Sequence, residues 1–328
     1  MTNDQETFLV TGAAGCIGAW AIRLLLDEGV SVVATDLSDD LKRLELISQG
    51  RDNSKLEFAT LDVTQTEDVA TIIAERGITH VVHLAGLQMP FCAANPPLGA
   101  MVNVVGTVNI FEGIRRSGRR IGLAYASSAA VFGASGYYNS GVVGDASPPF
   151  ADSFYGVYKV ANEGTARIYS MSHGIGSVGL RPFIIYGPGR DQGKTSDPTK
   201  AVLAALRGES FEINFGGNLL LTYAPDCADG FIRSARAAAG SGDAICLNVP
   251  GRRVGVAEFV SLLEELIPEA AGKITHIASP LAVAALLSDS ALGAVIGDVA
   301  NRPLREGLEE TIAIFRGALA SGVLAPQS

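Results

Sequence analysis

The first half of the chain alternates between short apolar runs and longer stretches in which apolar residues recur at helical spacing. The runs are rich in β-branched residues and lie at positions 8–10, 30–35, 56–60, 79–84 and 121–126. Strands that are apolar along their whole length are buried on both faces. The alternation therefore predicts an α/β fold, with a doubly wound parallel sheet covered by helices on both sides.

The regular alternation ends after Arg181. A polar, glycine-rich loop occupies residues 187–194, and helical and strand-like segments follow it in a less regular order. This change predicts a first domain at 1–186, to which part of 222–250 returns, and a smaller C-terminal α/β domain, mainly 187–328. We expect the first domain to bind a cofactor and the second to bind the substrate.

Composition and charge narrow the class of protein. Of the 328 residues, 48% are hydrophobic and 18% are charged, which suits a well-filled core. The net charge of −9 argues against a nucleic acid or an anionic membrane as partner, because both bind basic surfaces. No signal peptide and no bilayer-spanning run is recognisable. The unpaired spacing of the cysteines predicts reduced thiols and a cytoplasmic protein; they are Cys16, Cys92, Cys227 and Cys246.

The segment 11–18, TGAAGCIG, joins the first predicted strand to the first helix. Gly12 permits a tight turn, Gly15 lets the backbone approach a phosphate, and Gly18 lets the helix pack against the strand. A helix that starts here presents its amide groups to a pyrophosphate. We therefore predict a dinucleotide site with contacts from Gly12, Ala14, Gly15, Cys16, Ile17 and Gly18. Cys16 is also a candidate reactive thiol at a helix N-terminus, although a small apolar filler is the favoured interpretation.

Carboxylates follow the next two predicted strands. Asp36 ends the second strand, where it can accept a hydrogen bond from a ribose 2′-hydroxyl and would repel a 2′-phosphate. No arginine follows it directly, so the sequence favours NAD over NADP. Asp62 follows the third strand, where it would border the adenine or, alternatively, cap a helix. The other cofactor contacts predicted at strand ends are Leu37, Val63, Leu84, Ala85, Gly86 and Ala126.

A second chemical pattern is the pair Tyr155 and Lys159, spaced i, i+4 and thus on one face of a predicted helix. A free phenol, with a pKa of about 10, is a poor base at neutral pH. A neighbouring ammonium favours the phenolate and lowers that pKa. The pair therefore predicts a proton donor and acceptor for a carbinol. An isolated pair of this kind more often marks the polar side of an amphipathic helix, but this one follows a dinucleotide loop.

The glycine spacing i, i+3, i+6 resembles the extended branch of the short-chain dehydrogenase/reductase superfamily, the NAD-dependent epimerase/dehydratase family. Other segments resemble that family's motifs, namely 103–107 (NVVGT), 127–133 (SSAAVFG), 181–188 (RPFIIYGP), 222–230 and 302–308 (RPLREGL). The resemblance covers most of the chain. It implies a Rossmann-type fold, NAD as cofactor, and a homodimer built from helices at 97–116 and 152–171. It also implies cofactor contacts from Asn103, Tyr155, Lys159, Arg181 and Phe183.

The resemblance also implies a catalytic set. Matching the SSAAVFG segment to the family pattern places Ser128 where a serine orients the substrate oxygen, beside Tyr155 and Lys159. The predicted substrate contacts are Gln88, Ser127, Ser128, Phe183 and Arg190. His80 and His83 lie three apart on a predicted strand and hence on opposite faces, so no metal site is expected.

Departures from the family patterns bear on the reaction. Nucleotide-sugar dehydratases carry Asp and Glu where this chain has Ala129 and Ala130, and neither alanine can move a proton. Nucleotide-sugar epimerases carry Asn at the position of Ile184 and Arg near Leu219, and these two groups hold the diphosphate. Aliphatic side chains there lose several charge-assisted hydrogen bonds, unless Arg190 or a nearby lysine substitutes for them.

The leading interpretation is an NAD-dependent dehydrogenase/reductase that transfers hydride between NAD and a secondary alcohol or ketone. A small sugar, sugar acid or polyol-like molecule would be its substrate. The alternative is a nucleotide-sugar 4-epimerase, which uses the same Ser-Tyr-Lys set but retains its NAD. A more distant alternative is a non-catalytic NAD(H)-sensing protein.

Overall fold

The structure, a computed structural model, describes residues 6–139, 142–281, 286–287 and 291–324. Within them the strands are β1 (Thr7–Thr11), β2 (Ser31–Asp36), β3 (Leu56–Thr60), β4 (His80–His83), β5 (Gly122–Ala126), β6 (Val142–Val143), β7 (Ser177–Arg181), β8 (Ile184–Tyr186), β9 (Phe211–Ile213), β10 (Asn218–Tyr223), β11 (Ala244–Asn248), β12 (Arg252–Gly255), β13 (Ile274–His276) and β14 (Leu286–Leu287). The α-helices are α1 (Cys16–Asp27), α2 (Lys42–Ser48), α3 (Thr66–Glu75), α4 (Met89–Ala94), α5 (Pro96–Ala100), α6 (Gly106–Ser117), α7 (Phe154–His173), α8 (Asp197–Arg207), α9 (Ala224–Ala238), α10 (Val256–Leu266), α11 (Leu292–Ile296) and α12 (Leu304–Ala320).

The main sheet has seven strands in the order β11-β7-β5-β4-β1-β2-β3, and every neighbouring pair is parallel. The chain moves outward from β1 to β3 and then returns through β4 to the other edge. This reversal opens a crevice at the carboxyl ends of the strands, which is where ligands bind in doubly wound sheets. The last strand, β11, comes from residues 244–248 and pairs with β7.

Alternate residues of β1 explain why helices cover both faces of the sheet. Phe8 and Val10 belong to an apolar cluster that also contains Trp20 of α1 and Phe231 of α9. Leu9, between them, belongs to a second cluster that contains Phe111 of α6. All six side chains are almost fully buried, and each contributes about 1.5–3 kcal/mol through removal of apolar surface from water.

The described strands outside the main sheet form small separate sheets. Strand β8 pairs in parallel with β10, which pairs antiparallel with β12, while β9 pairs with β13 and β6 with β14. These pairings bring together segments from residue 142 to residue 287. They are the irregular second half that the sequence pattern could not order.

One predicted helix differs from the structure. The stretch 97–116 was expected to be a continuous helix, but it consists of α5, a π-helical segment at Met101–Val105 and α6. The wider turn holds Asn103, whose side chain is buried and hydrogen-bonded outside the helix. Single π turns inside α-helices commonly re-aim a functional side chain in this way.

The same region is the only described stretch long and apolar enough to cross a bilayer. It spans Pro96–Ser117, and half of its apolar window is buried inside the protein. Ile110, Phe111 and Ile114 lie in the core beneath the sheet. Its apolar character is therefore accounted for by packing.

Candidate active site

The glycine loop between β1 and α1 is closely packed against its neighbours. Gly12 has a φ of +71°, and a Cβ there would lie 2.7 Å from the amide nitrogen of Ala85. A Cβ on Gly18 would lie 2.2 Å from the Gly12 carbonyl oxygen. No side chain among the described residues caps the first turn of α1, so the amide groups of that turn have no side-chain acceptor there. An anion is the natural partner for such a helix end.

Asp36 stands beside this loop at the end of β2. Its Oδ2 accepts a hydrogen bond from the Ala14 amide at 2.9 Å, and its Oδ1 accepts one from the Leu37 amide at 2.8 Å. The carboxylate is therefore fixed in direction. Asp62, by contrast, accepts hydrogen bonds from the amide and hydroxyl of Thr64, so it closes a turn and does not cap α3, which begins at Thr66.

The structure brings Ser128, Tyr155 and Lys159 together. Ser128 follows β5 and caps a short 3₁₀ turn, where its Oγ accepts a hydrogen bond from the Ala130 amide at 3.1 Å. Lys159 lies one turn after Tyr155 on α7, with Nζ 5.5 Å from the centre of the phenol ring. The Lys159 Nζ donates a hydrogen bond of 2.7 Å to the Ala126 carbonyl at the end of β5.

The electrostatics of this set differ from the simple expectation. Burial raises the pKa of Tyr155, and a hydrogen bond with Ser128 and the charge of Arg190 offset that rise only in part. Burial also lowers the pKa of Lys159 to about 8. The expectation that a neighbouring ammonium leaves Tyr155 with a lowered pKa was wrong, because the burial that creates the site penalises both charged forms. At neutral pH Tyr155 is a protonated phenol and Lys159 an ammonium.

Ser127 and Arg181 occupy places that their sequence motifs did not indicate. The Ser127 hydroxyl is buried and donates to Glu163 Oε1 at 2.5 Å. Arg181 forms a two-pronged ion pair with the same carboxylate, with both contacts at 2.7 Å. The predicted substrate contact and the predicted cofactor contact thus meet at Glu163, a residue that the sequence analysis missed. Its signal was its position on α7, four residues after Lys159 and eight after Tyr155.

Asn103, Gly86 and Lys159 lie against one another at the end of β4. The Asn103 Nδ2 donates to the carbonyls of Leu87 and Gly99. Its Oδ1 is buried without a hydrogen-bond partner in the described residues, and it would lie 2.7 Å from a Cβ on Gly86. The same Cβ would lie 3.6 Å from the Lys159 Nζ. Glycine at position 86 is therefore needed for this close approach.

Most of the predicted polar loop, which includes Arg190, connects the glycine loop with the loop after β4; we call residues 187–193 the crossing segment. At one end the Pro188 carbonyl accepts hydrogen bonds from Trp20 Nε1 at 2.9 Å and from Cys16 Sγ at 3.7 Å. At the other end a Cβ on Gly193 would lie 2.5 Å from Gln88 Oε1. The crossing segment thus runs from the glycine loop to the loop after β4, over the edge where the predicted cofactor contacts meet.

An ion pair fastens the crossing segment to the glycine loop. The Arg43 guanidinium donates to Asp191 Oδ1 at 2.6 and 3.0 Å and to the Ala14 carbonyl at 2.6 Å. Arg190, between the two anchors, donates to the Thr195 hydroxyl at 3.1 Å, while its Nε is buried without a partner in the described residues. Trp20, Arg43 and Asp191 were missed by sequence reasoning, because their contacts join segments far apart in the chain.

Two titratable residues prove unreactive in these surroundings. Burial raises the pKa of the Cys16 thiol to about 12, so it remains protonated and the filler interpretation holds. Burial lowers the pKa of His83 to about 3, and the neutral ring lies between the hydroxyls of Thr11 and Thr107. His80 stacks on Phe8 on the opposite face of the sheet, and the described residues hold no cluster of metal-ligating groups.

The two positions at which nucleotide-sugar epimerases were expected to carry diphosphate-binding groups hold buried aliphatic side chains. Ile184 on β8 is 1% exposed and Leu219 on β10 is 3% exposed. Both belong to the main apolar cluster. Neither position offers a polar group to a ligand.

Comparison with known proteins gives this site a family. The model of the NAD-dependent epimerase/dehydratase family matches residues 8–248. A UDP-glucose 4-epimerase from Mycolicibacterium smegmatis is 31% identical over 241 residues, which cover 71% of this chain and 74% of that protein. The chain belongs to the NAD-dependent epimerase/dehydratase family. It is therefore an NAD-dependent enzyme of the extended short-chain dehydrogenase/reductase type.

Other relatives agree with this assignment. An uncharacterised 37.6 kDa protein from Escherichia coli is 34% identical over 237 residues, 69% of this chain and 68% of that protein. The structure of MoeE5 in complex with UDP-glucose and NAD superimposes with a TM-score of 0.75 at 26% identity, covering 95% and 99% of the two chains. A UDP-N-acetylglucosamine 4-epimerase from Methanobrevibacter ruminantium gives a TM-score of 0.82 at 21% identity over 96% and 100% of the chains, which shows the shared fold. The predicted Rossmann-type fold and the NAD cofactor are confirmed.

The geometry of the glycine loop fits this cofactor. The space that a Cβ on Gly12 or Gly18 would fill is taken by backbone, so the turn is as tight as a pyrophosphate cradle requires. The uncapped first turn of α1 supplies amide donors, and the fixed Asp36 carboxylate supplies acceptors one strand away. A dinucleotide needs both.

Proposed function

We propose that this enzyme is a nucleotide-sugar 4-epimerase that keeps its NAD bound through each turnover. The observation that carries the proposal is the crossing segment beside the Ser128, Tyr155 and Lys159 set. An epimerase must hold the reduced cofactor until the hydride returns to the sugar, and a segment fastened across the crevice serves that need. The epimerases among the relatives support the same conclusion, which places our earlier alternative ahead of the dehydrogenase.

In this proposal each residue acts on the hydroxyl that is oxidised and reformed. When bound, NAD supplies the acceptor and then the donor of hydride. Tyr155 must first lose its own proton to solvent; as a phenolate it then takes the hydroxyl proton during oxidation and returns it during reduction, while Ser128 hydrogen-bonds the same oxygen. The positive charge of Arg190 offsets part of the cost of forming the phenolate in a buried site. The Lys159 Nζ, 5.5 Å from the centre of the phenol ring, adds a second positive charge nearby. The glycine loop, Asp36 and the strand-end residues predicted above hold the cofactor.

The neighbouring residues argue against dehydration. Ala129 is buried and Ala130 half-buried in the turn after Ser128, and neither carries an acid or a base. Elimination of water from a sugar needs such a group to move a proton. Return of the hydride to the same ring carbon needs no further group.

A second candidate is a dehydrogenase of a non-nucleotide sugar, sugar acid or polyol-like alcohol. The buried aliphatic side chains of Ile184 and Leu219 favour it, since neither can bind a diphosphate. In this reading the cofactor must exchange after each turnover.

The deciding experiment measures cofactor and product together. The purified enzyme would be denatured to quantify released NAD, and the native enzyme would be incubated with UDP-glucose, UDP-N-acetylglucosamine and UDP-glucuronate. Bound NAD and a 4-epimer without net change in absorbance at 340 nm are expected. Sustained NADH formation from free sugars, aldonates or simple secondary alcohols, with added NAD, would replace the proposal with the dehydrogenase.

We also propose a cytoplasmic homodimer in which residues 187–328 supply most substrate contacts. All four cysteines are free thiols, as suits a reducing compartment. The surface of α4, α5, the π turn and α7 exposes large apolar side chains; they are Phe91, Leu98, Met101, Phe154, Val157, Ile168 and Met171. Exposed apolar side chains grouped on neighbouring helices are typical of a protein–protein interface. Sedimentation at micromolar concentration should give twice the mass of 34.0 kDa, and a monomer would contradict this.

A further inference from the structure

Three residues of helix α7, spaced along two of its turns, contact the segment 126–130 that carries Ser128. A Cβ on Gly156 would lie 2.4 Å from the Ala130 carbonyl oxygen, so the helix packs directly on the turn. Lys159 donates to the carbonyl of Ala126 at 2.7 Å. Glu163 accepts from the hydroxyl of Ser127 at 2.5 Å. Positions 156, 159 and 163 share one helix face, so the helix and the turn are joined along two turns of α7.

The Glu163 carboxylate is itself held in place. Its two oxygens accept hydrogen bonds from Nε and Nη2 of Arg181, both at 2.7 Å. The Glu163 side chain is 12% exposed and the Arg181 side chain 7%. The remaining Arg181 Nη1 donates to the Asp145 carbonyl at 2.8 Å, and the guanidinium lies over the Phe132 ring. A buried carboxylate with bidentate pairing has little freedom to move. The Ser127 hydroxyl therefore donates its hydrogen bond to a carboxylate whose position is fixed by Arg181.

We propose that Ser127 and Glu163 are positioning residues, and that their hydrogen bond sets the place of Ser128 against the Tyr155 hydroxyl. The proposal rests on the proposed function in that Ser128 and Tyr155 carry the chemistry. Ser127 precedes Ser128 directly, and its side chain is turned away from the crevice to Glu163. Without this bond, residues 127–128 are held by three weaker local contacts: the Ser127 amide donates to the Tyr125 carbonyl, and the Ser128 carbonyl and Oγ accept from the Val131 and Ala130 amides. None of these contacts reaches α7, so only the Ser127–Glu163 bond ties the side chain at 127 to that helix.

The surroundings of Tyr155 make this position measurable. Besides Ser128, the charged or titratable groups near the phenol are Lys159 on α7, Arg190 from the crossing segment and Cys92 on α4. None of these three hydrogen-bonds to Ser127 or Glu163. A change at Ser127 therefore reaches Tyr155 through Ser128, and it removes the hydrogen bond that favours the phenolate.

The test compares two variants of the Ser127–Glu163 pair with a control. Ser127→Ala removes the hydroxyl alone. Glu163→Gln keeps an amide oxygen that can accept from Ser127 and places an amide NH₂ against the Arg181 Nη2, so it should destabilise the fold more. Ser170→Ala is the control, because Ser170 on the same helix also gives a half-buried hydroxyl hydrogen bond, to the Gly242 carbonyl at 2.7 Å, far from Ser128.

Two readouts decide the outcome. The first is the ¹³Cζ resonance of Tyr155 in tyrosine-labelled enzyme with NAD bound, identified by its absence in Tyr155→Phe. In Ser127→Ala it should move towards its position in Ser128→Ala and titrate at higher pH, while Ser170→Ala keeps the wild-type position. The second is kcat, which should fall about tenfold in Ser127→Ala with KM changed less than about twofold, since a misplaced group mainly slows the chemical step.

The order of the variants separates positioning from stability. Compared with Ser127→Ala, Glu163→Gln should have the lower Tm and yet the higher kcat, because its amide oxygen still accepts the Ser127 hydrogen bond. If kcat instead follows Tm across all three variants, or if Ser127→Ala keeps the wild-type resonance, the proposal is overturned. The resonance needs no turnover, so it still decides if no nucleotide sugar is epimerised and the proposed function fails.

Discussion

The two sides of the crevice differ in the chemical groups that they contain. On the cofactor side, the glycine loop and Asp36 present amide donors and a carboxylate whose directions are set by short hydrogen bonds. On the side of β8 and β10, Ile184 and Leu219 are buried in the apolar core. The cofactor side resembles the whole family, while the other side departs from it.

This difference shows how far family membership reaches. A pyrophosphate is recognised largely by backbone, so the same loop serves many enzymes of one fold. Substrate recognition depends on side chains that vary among them. In the proposed function, the polar groups on the substrate side come from the crossing segment, above all from Arg190, whose buried Nε has no partner among the described residues.

The largest expected effect follows from removing the proton carrier between the two sides. Tyr155→Phe should lower kcat by about 10³-fold, since general acid–base groups contribute roughly 10²–10⁴-fold. Bound NAD, measured after denaturation, should stay near the wild-type amount. Tyr158→Phe is the control, because the Tyr158 hydroxyl donates to the Pro96 carbonyl and lies on the same helix. Equal activity of the two variants would contradict the assignment.

The contrast between the two sides would be wrong if a polar side chain at position 184 left the protein as stable as before. Ile184→Asn should lower the free energy of unfolding by about 2–4 kcal/mol, because it buries an amide without partners and removes apolar contacts. Ile184→Val, with about 0.5–1.5 kcal/mol, is the volume control. Urea unfolding followed by circular dichroism measures both. A stable Asn variant would mean that position 184 reaches solvent and is available to a substrate diphosphate.

A pH profile tests the charge at the centre of the crevice. Burial lowers the pKa of Lys159 to about 8, so the ammonium is present below that pH and is lost as pH rises through it. Turnover should fall above pH 8, by about tenfold at pH 9, whereas Lys159→Arg should have no such decrease.

The same shift affects stability, because the unfolded chain keeps the Lys159 proton up to a higher pH than the folded one. The lowered pKa therefore makes the free energy of unfolding rise between about pH 8 and 10.5. An unchanged pH profile of turnover in Lys159→Arg would assign the decrease to another group.

The smallest expected effect concerns the pair that fastens the crossing segment. Asp191→Asn should speed NAD dissociation by about two- to fivefold, since Asp191 is half exposed and such ion pairs contribute little. Displacement of the bound cofactor by labelled NAD gives the rate. Glu265→Gln, which breaks the exposed Arg305–Glu265 pair elsewhere, is the matched control. Equal rates in both variants would mean that hydrogen bonds such as that of Trp20 hold the segment without the ion pair.

Local patterns were sufficient to predict the strand–turn–helix–strand unit on the cofactor side. Gly12, Gly18 and Asp36 act within one strand–turn–helix–strand unit, so their roles follow from spacing. The pair Tyr155 and Lys159 was found for the same reason, because one helical turn joins them. The sign of the Tyr155 pKa shift was not found, since burial is a property of the whole fold. The helix predicted at 97–116 is present, but the π turn within it that holds Asn103 was not predicted.

The sequence by itself determined the parallel sheet, the dinucleotide loop, NAD and the helical Tyr–Lys pair, because each is encoded in residues a few positions apart. The tertiary structure decided what lies around them. It joined Ser127 and Arg181 at Glu163, fastened Asp191 to Arg43 and buried Ile184 and Leu219. The hydrogen-bonded and ion-paired partners are 18 to 148 positions apart. Such contacts depend on how the elements pack, and packing is a cooperative outcome of the whole chain that spacing along the sequence does not carry.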